Sequence, residues 1–186
     1  SVYGRAERLP LREDMPLRPV SPYGASKAAA EVYCHAYCAT YGLPTVSLRY
    51  FSVYGPRQRP DMAVHGFTRQ ILEGGRPNVF GDGRQTRDYT YIDDIVAGTI
   101  AAGERARAGA VYNLGTGQHI DVFELIRLIC QACGRHTRPE LTPRQVGDVQ
   151  DTQADISKAI DQLEYKPSVT VEEGIRRFVE WYIADK

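Results

Sequence analysis

The sequence predicts an α/β protein built on a parallel sheet, and three observations carry that expectation. Short β-branched or apolar runs alternate along the chain with longer stretches of helical periodicity. The connections between them are brief and rich in Gly, Pro and charge, as strand–helix–strand units require. The 186 residues fit one domain, or the larger part of one, with ample length for a core.

Residues 1–3 read as the end of a strand, and the proline- and charge-rich stretch 5–20 as a loop. A helix is expected over 22–41, opened by Ser21-Pro22 and closed by Gly42 and Pro44. The β-branched run 45–50 reads as a buried strand, and a Pro/Gly/Arg-rich loop extends to Pro60. A helix over 64–73, a short strand over 78–80, a loop over 81–87 and a strand over 89–91 follow. Next come a helix over 93–105 capped by its aspartate, a strand over 111–114, and helices over 122–133, 155–163 and 171–184. Gly115-Thr116-Gly117 is a poor dinucleotide loop, because it lacks a third glycine and an acidic residue about 20 positions on.

Composition excludes several function classes. With 23 basic and 23 acidic residues the formal charge is zero, which gives no reason to expect nucleic acid. No apolar stretch approaches the roughly 20 residues that span a bilayer. The four cysteines, Cys34, Cys38, Cys130 and Cys133, lie at helical spacing on apolar helices. They read as free thiols of a cytoplasmic protein, since neither pair shows the knuckle of a zinc site, and no metal is expected.

The chemistry concentrates in Ser21-Pro22-Tyr23-Gly24-Ala25-Ser26-Lys27. One helical turn separates Tyr23 from Lys27, so phenol and ammonium share a face. A phenol ordinarily titrates near pH 10, and a nearby cation favours its ionised form. Such a pair can take a proton from an alcohol while a hydride leaves the same carbon. The pair follows Ser1-Val2-Tyr3-Gly4 and precedes Leu48-Arg49-Tyr50-Phe51-Ser52-Val53-Tyr54-Gly55-Pro56-Arg57. That series resembles the extended short-chain dehydrogenase/reductase family of nucleotide-sugar epimerases and dehydratases.

The resemblance covers essentially the whole chain and implies a partial doubly wound, Rossmann-like sheet with a small C-terminal substrate-binding lobe. Residues 1–60 would belong to the NAD-binding domain and 61–186 to the lobe, with 93–115 returning to the sheet. By comparison with the family, roughly two-fifths of an enzyme is missing at the N-terminus, with its pyrophosphate loop and the Ser or Thr of the catalytic triad. The resemblance implies that Tyr23 takes the proton of the sugar 4′-hydroxyl while C4 gives its hydride to NAD. The 4-keto sugar then rotates and is reduced on its other face. Lys27 would hydrogen-bond the nicotinamide ribose, with Tyr50 beside the nicotinamide. Phe80 would pack on the uracil, Arg87 would grip the diphosphate, and Asp148 would sit by the nucleotide ribose; Gln145 replaces a usual arginine. Ser1 stands where dehydratases and decarboxylases carry an acid, which favours the simpler 4-epimerisation.

Ser52, followed by Val53-Tyr54-Gly55-Pro56-Arg57-Gln58-Arg59-Pro60-Asp61-Met62, matches a subset acting on UDP-glucuronate. There Arg59, Ser1 and Ser52 would face the sugar carboxylate. The expected activity is therefore a UDP-glucuronate or UDP-glucose 4-epimerase. A dehydratase or decarboxylase of the family, or an inactive nucleotide-sugar-binding fragment, remain alternatives. A homodimer through the helix beginning at Tyr23 is expected, and UDP-sugar is expected to bind this chain in preference to NAD.

Overall fold

Helix α1 (Pro22–Tyr41) starts where Ser21, in extended conformation, accepts the amide of Gly24 on its side-chain oxygen at 3.1 Å. This satisfies one of the donors that a helix start leaves open, and Pro22 occupies a position that needs none. The helix ends at Gly42 in the left-handed conformation. It belongs to a computed structural model that describes residues 1–5, 8–144, 147 and 149–185.

Strand β1 (Ser47–Tyr50) leads into β2 (Ser52–Tyr54) and α2 (Ala63–Leu72). Then come β3 (Asn78–Phe80), β4 (Thr86–Arg87), β5 (Tyr89–Tyr91), α3 (Ile92–Arg105) and β6 (Val111–Leu114). The remainder is β7 (Ile120–Asp121), α4 (Val122–Ala132), β8 (Glu140–Thr142), α5 (Ser157–Leu163) and α6 (Val171–Ala184). β1 lies parallel to β6, with Ser47 opposite Val111 and Tyr50 opposite Leu114. β2 pairs parallel with β5 and β3 with β8, whereas β4 and β7 run antiparallel. The crossover from β5 through α3 to β6 is the strand–helix–strand unit that the alternating pattern predicts.

Several local expectations are corrected. Residues 1–3 form a turn, not a strand, with the Gly4 amide on the Ser1 carbonyl at 3.4 Å. β2, β4, β7 and β8 fall in stretches expected to be loops or unassigned. Each is two or three residues long, too short to display an alternating pattern. Helix α3 begins at Ile92, and no side chain caps it. Asp94 instead turns its buried carboxylate to the amides of Ser168 and Val169, at 2.9 and 3.1 Å, and so fastens α3 to the segment before α6. Asp121, not foreseen as a cap, accepts the Glu124 amide at 2.7 Å and starts α4.

Two apolar clusters divide the interior. In one, Tyr54 and Tyr91 meet Leu125 and Ile129 of α4 and Ile175 and Phe178 of α6. In the other, Ile95 and Ala102 of α3 pack with Tyr112 and Leu114 of β6, with Leu163 of α5 and with Tyr165 just beyond it. The face of β1 carrying Leu48 joins the second cluster, which leaves Ser47 and Arg49 to point the other way, toward α1.

Asp88 joins these parts. Fully buried between β4 and β5, its carboxylate accepts the amides of Thr116, Gly117 and Ala154 at 2.8, 3.0 and 3.1 Å, and the hydroxyls of Thr116 and Thr90. Gly115 has to be glycine here, because a Cβ would stand 2.7 Å from that of Ala154 and 2.8 Å from the Asp88 carboxylate. Asp88→Asn would turn a donor against buried donors. We expect a loss on the order of 3 kcal/mol of stability, read from the urea midpoint at constant slope. A loss below about 1 kcal/mol would show that other contacts hold the loop.

Candidate active site

The start of α1 is pressed against the amino-terminal turn. A Cβ on Gly24 would lie 2.7 Å from the Ser1 carbonyl oxygen, so only glycine after Tyr23 lets the helix approach this closely. Tyr23 and Lys27 then project from one face of α1, with the Lys27 Nζ 5.3 Å from the centroid of the Tyr23 ring. Both open into a cavity of about 580 Å³ between α1 and β1.

Six of the nine residues expected from the sequence line this cavity: Ser1, Tyr23, Lys27, Tyr50, Ser52 and Arg87. They come from the amino-terminal turn, α1, β1, β2 and β4, and the fold alone brings them together. Tyr50 is held by its hydroxyl to Thr99 Oγ1 of α3 at 3.0 Å. Since that threonine gives its own proton to the Ile95 carbonyl, Tyr50 is the donor. Arg87 donates to the carbonyls of Thr86, Gln150 and Val149 at 2.7–2.9 Å, which ties the segment 149–150 to β4 and fixes the guanidinium at the cavity wall.

Two of the other three lie elsewhere. Arg59 makes two hydrogen bonds to Asp61, at 3.1 and 2.7 Å, in an exposed loop, and it is not among the residues lining the cavity. The hydrogen bond from Arg59 holds the Asp61 carboxyl below its ordinary value. Phe80 ends β3 largely exposed and likewise outside the lining. Asp148 and Gln145 fall outside the described residues. Gly115-Thr116-Gly117 is no phosphate cradle, because Asp88 already takes the amides of Thr116 and Gly117.

The structure also reveals a buried polar network to which sequence reasoning gave no role. Arg49 of β1 donates from Nε and Nη2 to the two carboxylate oxygens of Glu31, at 2.9 and 2.6 Å. Its Nη1 reaches the Tyr3 hydroxyl at 2.7 Å, and Tyr3 in turn donates to Asn113 Oδ1 at 2.6 Å. Burial disfavours the Arg49 charge, but the bonds from Glu31 and Tyr3 outweigh it and hold its pKa above the ordinary value. Burial also pushes the Tyr3 phenol up, against the pull of Arg49, so Tyr3 remains a neutral donor. Two signals were available: a single charged residue, Arg49, inside a strand otherwise without charge, and a glutamate one turn beyond Lys27 on the same helix face.

The cysteines are free thiols, of which Cys130 is buried and the other three are partly buried. Burial pushes the Cys133 thiol up to about 11. No helix among the described residues is long and apolar enough to cross a membrane.

Comparison with known proteins places this geometry in a family. The family model of the NAD dependent epimerase/dehydratase family matches residues 1–115. A UDP-glucuronate 4-epimerase of Thermodesulfobacterium geofontis is 41% identical, over 97% of this chain and 56% of its own length. A UDP-glucose 4-epimerase of Mycolicibacterium smegmatis is 39% identical, over 98% of this chain and 59% of its own. The crystal structure of the UDP-glucuronic acid 4-epimerase from Bacillus cereus, in complex with UDP-glucuronic acid and NAD, superposes with a TM-score of 0.96 at 39% identity. It is matched over all of this chain and 60% of that one. The chain thus spans somewhat under two-thirds of the length of these relatives, with the Rossmann-like α/β fold that they share. From the Tyr23–Lys27 face to the strands that carry Tyr50 and Arg87, the chain belongs to the NAD dependent epimerase/dehydratase family.

Proposed function

We propose that these residues form the proton-transfer and sugar-binding part of an NAD-dependent nucleotide-sugar 4-epimerase, with UDP-glucuronate favoured over UDP-glucose. The observation that carries this reading is the convergence of Tyr23, Lys27, Ser1, Ser52 and Arg87 on one cavity. Tyr23 is the group that takes the proton from the sugar hydroxyl, and Lys27 sets a positive charge beside its ring. NAD, when bound, supplies the hydride acceptor. Lys27 would donate to the hydroxyl oxygens of its nicotinamide ribose, and Tyr50 would lie beside the nicotinamide.

On the substrate side, Arg87 offers an always charged guanidinium for a diphosphate, which would exchange part of its carbonyl contacts for phosphate oxygens. Ser1 and Ser52 offer hydroxyls to the sugar carboxylate, and their neutrality gives no base for a dehydration. Asp148 and Phe80 are proposed for the nucleoside end. Arg59 would have to exchange Asp61 for the substrate carboxylate. That exchange costs little, because an exposed ion pair is worth at most about 1 kcal/mol. The free thiols fit a reducing compartment, the cytoplasm.

An exposed tyrosine stripe on α1 supports a homodimer. Tyr33, Tyr37 and Tyr41 recur every four residues and are 68%, 51% and 74% exposed. At about 100° per residue Tyr33, Tyr37 and Tyr41 lie about 200°, 240° and 280° around the helix from Glu31, so the stripe drifts round toward the Tyr23 side as it nears Gly42. An apolar stripe of this kind is a candidate contact for a second copy. Sedimentation should show a dimer that Tyr33→Glu disperses, and a monomer at high concentration would overturn the assignment.

Calorimetric titration of the 186-residue chain tests the ligand assignment directly. UDP-glucuronate should bind more tightly than UDP-glucose, and Arg87→Ala should weaken both by about tenfold or more, as loss of a charge-assisted bond implies. Absence of heat with either sugar would refute the reading. In a preparation that epimerises, Tyr23→Phe should lower the rate by about 10²–10⁴ with little change in UDP-sugar binding. Retention of more than about a tenth of the activity would remove Tyr23 from the mechanism.

A further inference from the structure

We infer that Arg49 is a positioning residue for the proton-transfer pair: it occupies both oxygens of Glu31 and thereby keeps that carboxylate from capturing Lys27. The inference rests on the assignment of Tyr23 and Lys27 as that pair, and it concerns how the ammonium is kept available. Tyr23, Lys27 and Glu31 stand at successive four-residue intervals on the cavity face of α1. A carboxylate one turn from a lysine normally pairs with it. Here, among the described residues, no ion pair to Lys27 occurs, and the ammonium lies by the Tyr23 ring.

The reason is geometric. Each Glu31 oxygen receives its own N–H from Arg49, and the two side chains are only 15% and 8% exposed, respectively. The third arm of Arg49 is held by Tyr3, whose proton goes to Asn113, so the guanidinium cannot swing away from Glu31. Without Arg49, Glu31 would be a largely buried carboxylate lacking a counter-ion, a state costly enough to recruit the cation one turn away. Lysine preceding glutamate is the weaker order of pairing on an exposed helix, but a carboxylate with no other partner reverses that preference. Among the described residues, the remaining charged or titratable groups around the pair are Arg87 on β4, Tyr50 on β1, Cys34 on α1, Tyr3, and the amino group of Ser1, and none changes in the comparison below.

The test follows the phenol of Tyr23 by the 13Cζ resonance of labelled tyrosine against pH. Tyr23→Phe identifies that signal among the 12 tyrosines. Lys27→Met should raise the titration midpoint, and Arg49→Met should raise it to the same extent. Adding Glu31→Gln to Arg49→Met removes the captor and should return the midpoint to within about 0.2 unit of the unsubstituted chain. In the Lys27→Met background, Arg49→Met should add nothing. A purely structural role for Arg49 predicts the opposite, namely no recovery on adding Glu31→Gln.

Recovery in the double variant establishes the inference. An unshifted Arg49→Met, or a double variant as shifted as the single, overturns it. If Arg49→Met does not fold, Arg49→Gln keeps hydrogen-bonding atoms without the charge, and the same recovery is required of it. No nucleotide sugar enters this measurement, so its failure leaves the calorimetric assignment of the ligand standing, and the converse also holds.

Discussion

Burying a guanidinium beside a strand demands partners for its five N–H groups, and those that Arg49 finds come from several of the segments around the cavity. Glu31 belongs to α1, Tyr3 to the amino-terminal turn, and the Glu13 carbonyl to the loop between them. Through Tyr3 the network continues to Asn113 on β6, whose side-chain amide reaches the carbonyls of Leu11 and Asp155, while its backbone amide takes the Glu13 carboxylate. An ion pair so enclosed adds little net stability over an apolar substitute, yet loss of one partner costs about 3–5 kcal/mol. Its contribution is therefore geometric. It fixes the distance between α1 and β1, and that distance decides whether the Tyr23–Lys27 face opens onto the wall formed by Tyr50 and Ser52.

A second carboxylate sets the other side of the site. Asp88 draws the Gly115–Gly117 loop and the backbone at Ala154 onto one buried point next to Arg87. The two adjacent residues work in opposite directions along β4 and β5, as strand alternation dictates. Arg87 faces the cavity and binds carbonyls of 149–150, while Asp88 faces inward and binds amides. A glycine-flanked loop that could have suggested a phosphate site is thereby an anchor for the wall holding Arg87. What separates the two roles is which acceptor the amides already have, and only tertiary structure supplies that.

The legible parts of the sequence are those whose physics is local. The limits of α1 follow from Ser21, Pro22 and Gly42, and the structure returns them unchanged. Tyr23 and Lys27 share a face because helix geometry places residues four apart together. The four unforeseen strands could not be read, since two or three residues carry no period and exist only through partners such as β8 for β3. Asp93 looked like a cap because its position invites one, whereas the adjacent Asp94 is bound by amides 74 and 75 residues away. Arg49 was in plain view within the motif, but its partner Glu31 lies 18 residues earlier, and no spacing rule links a strand arginine to a helix glutamate.

Helix α1 shows how far one element can be committed. Its start is pinned to Ser1 through Gly24, its cavity side carries Tyr23, Lys27 and Glu31, and its outer side carries the tyrosine stripe. A helix that carries both sets of side chains cannot rotate to improve one without spoiling the other, because every side chain turns with it. The Glu31–Arg49 pair opposes that rotation, since a turn of the helix would pull both carboxylate oxygens from a fork rooted in β1. A second copy packed on Tyr33 and Tyr37 would press α1 toward the same strand. The interface and the buried ion pair would then flank the Tyr23–Lys27 face, so that disturbance of either would be felt at the position of Lys27.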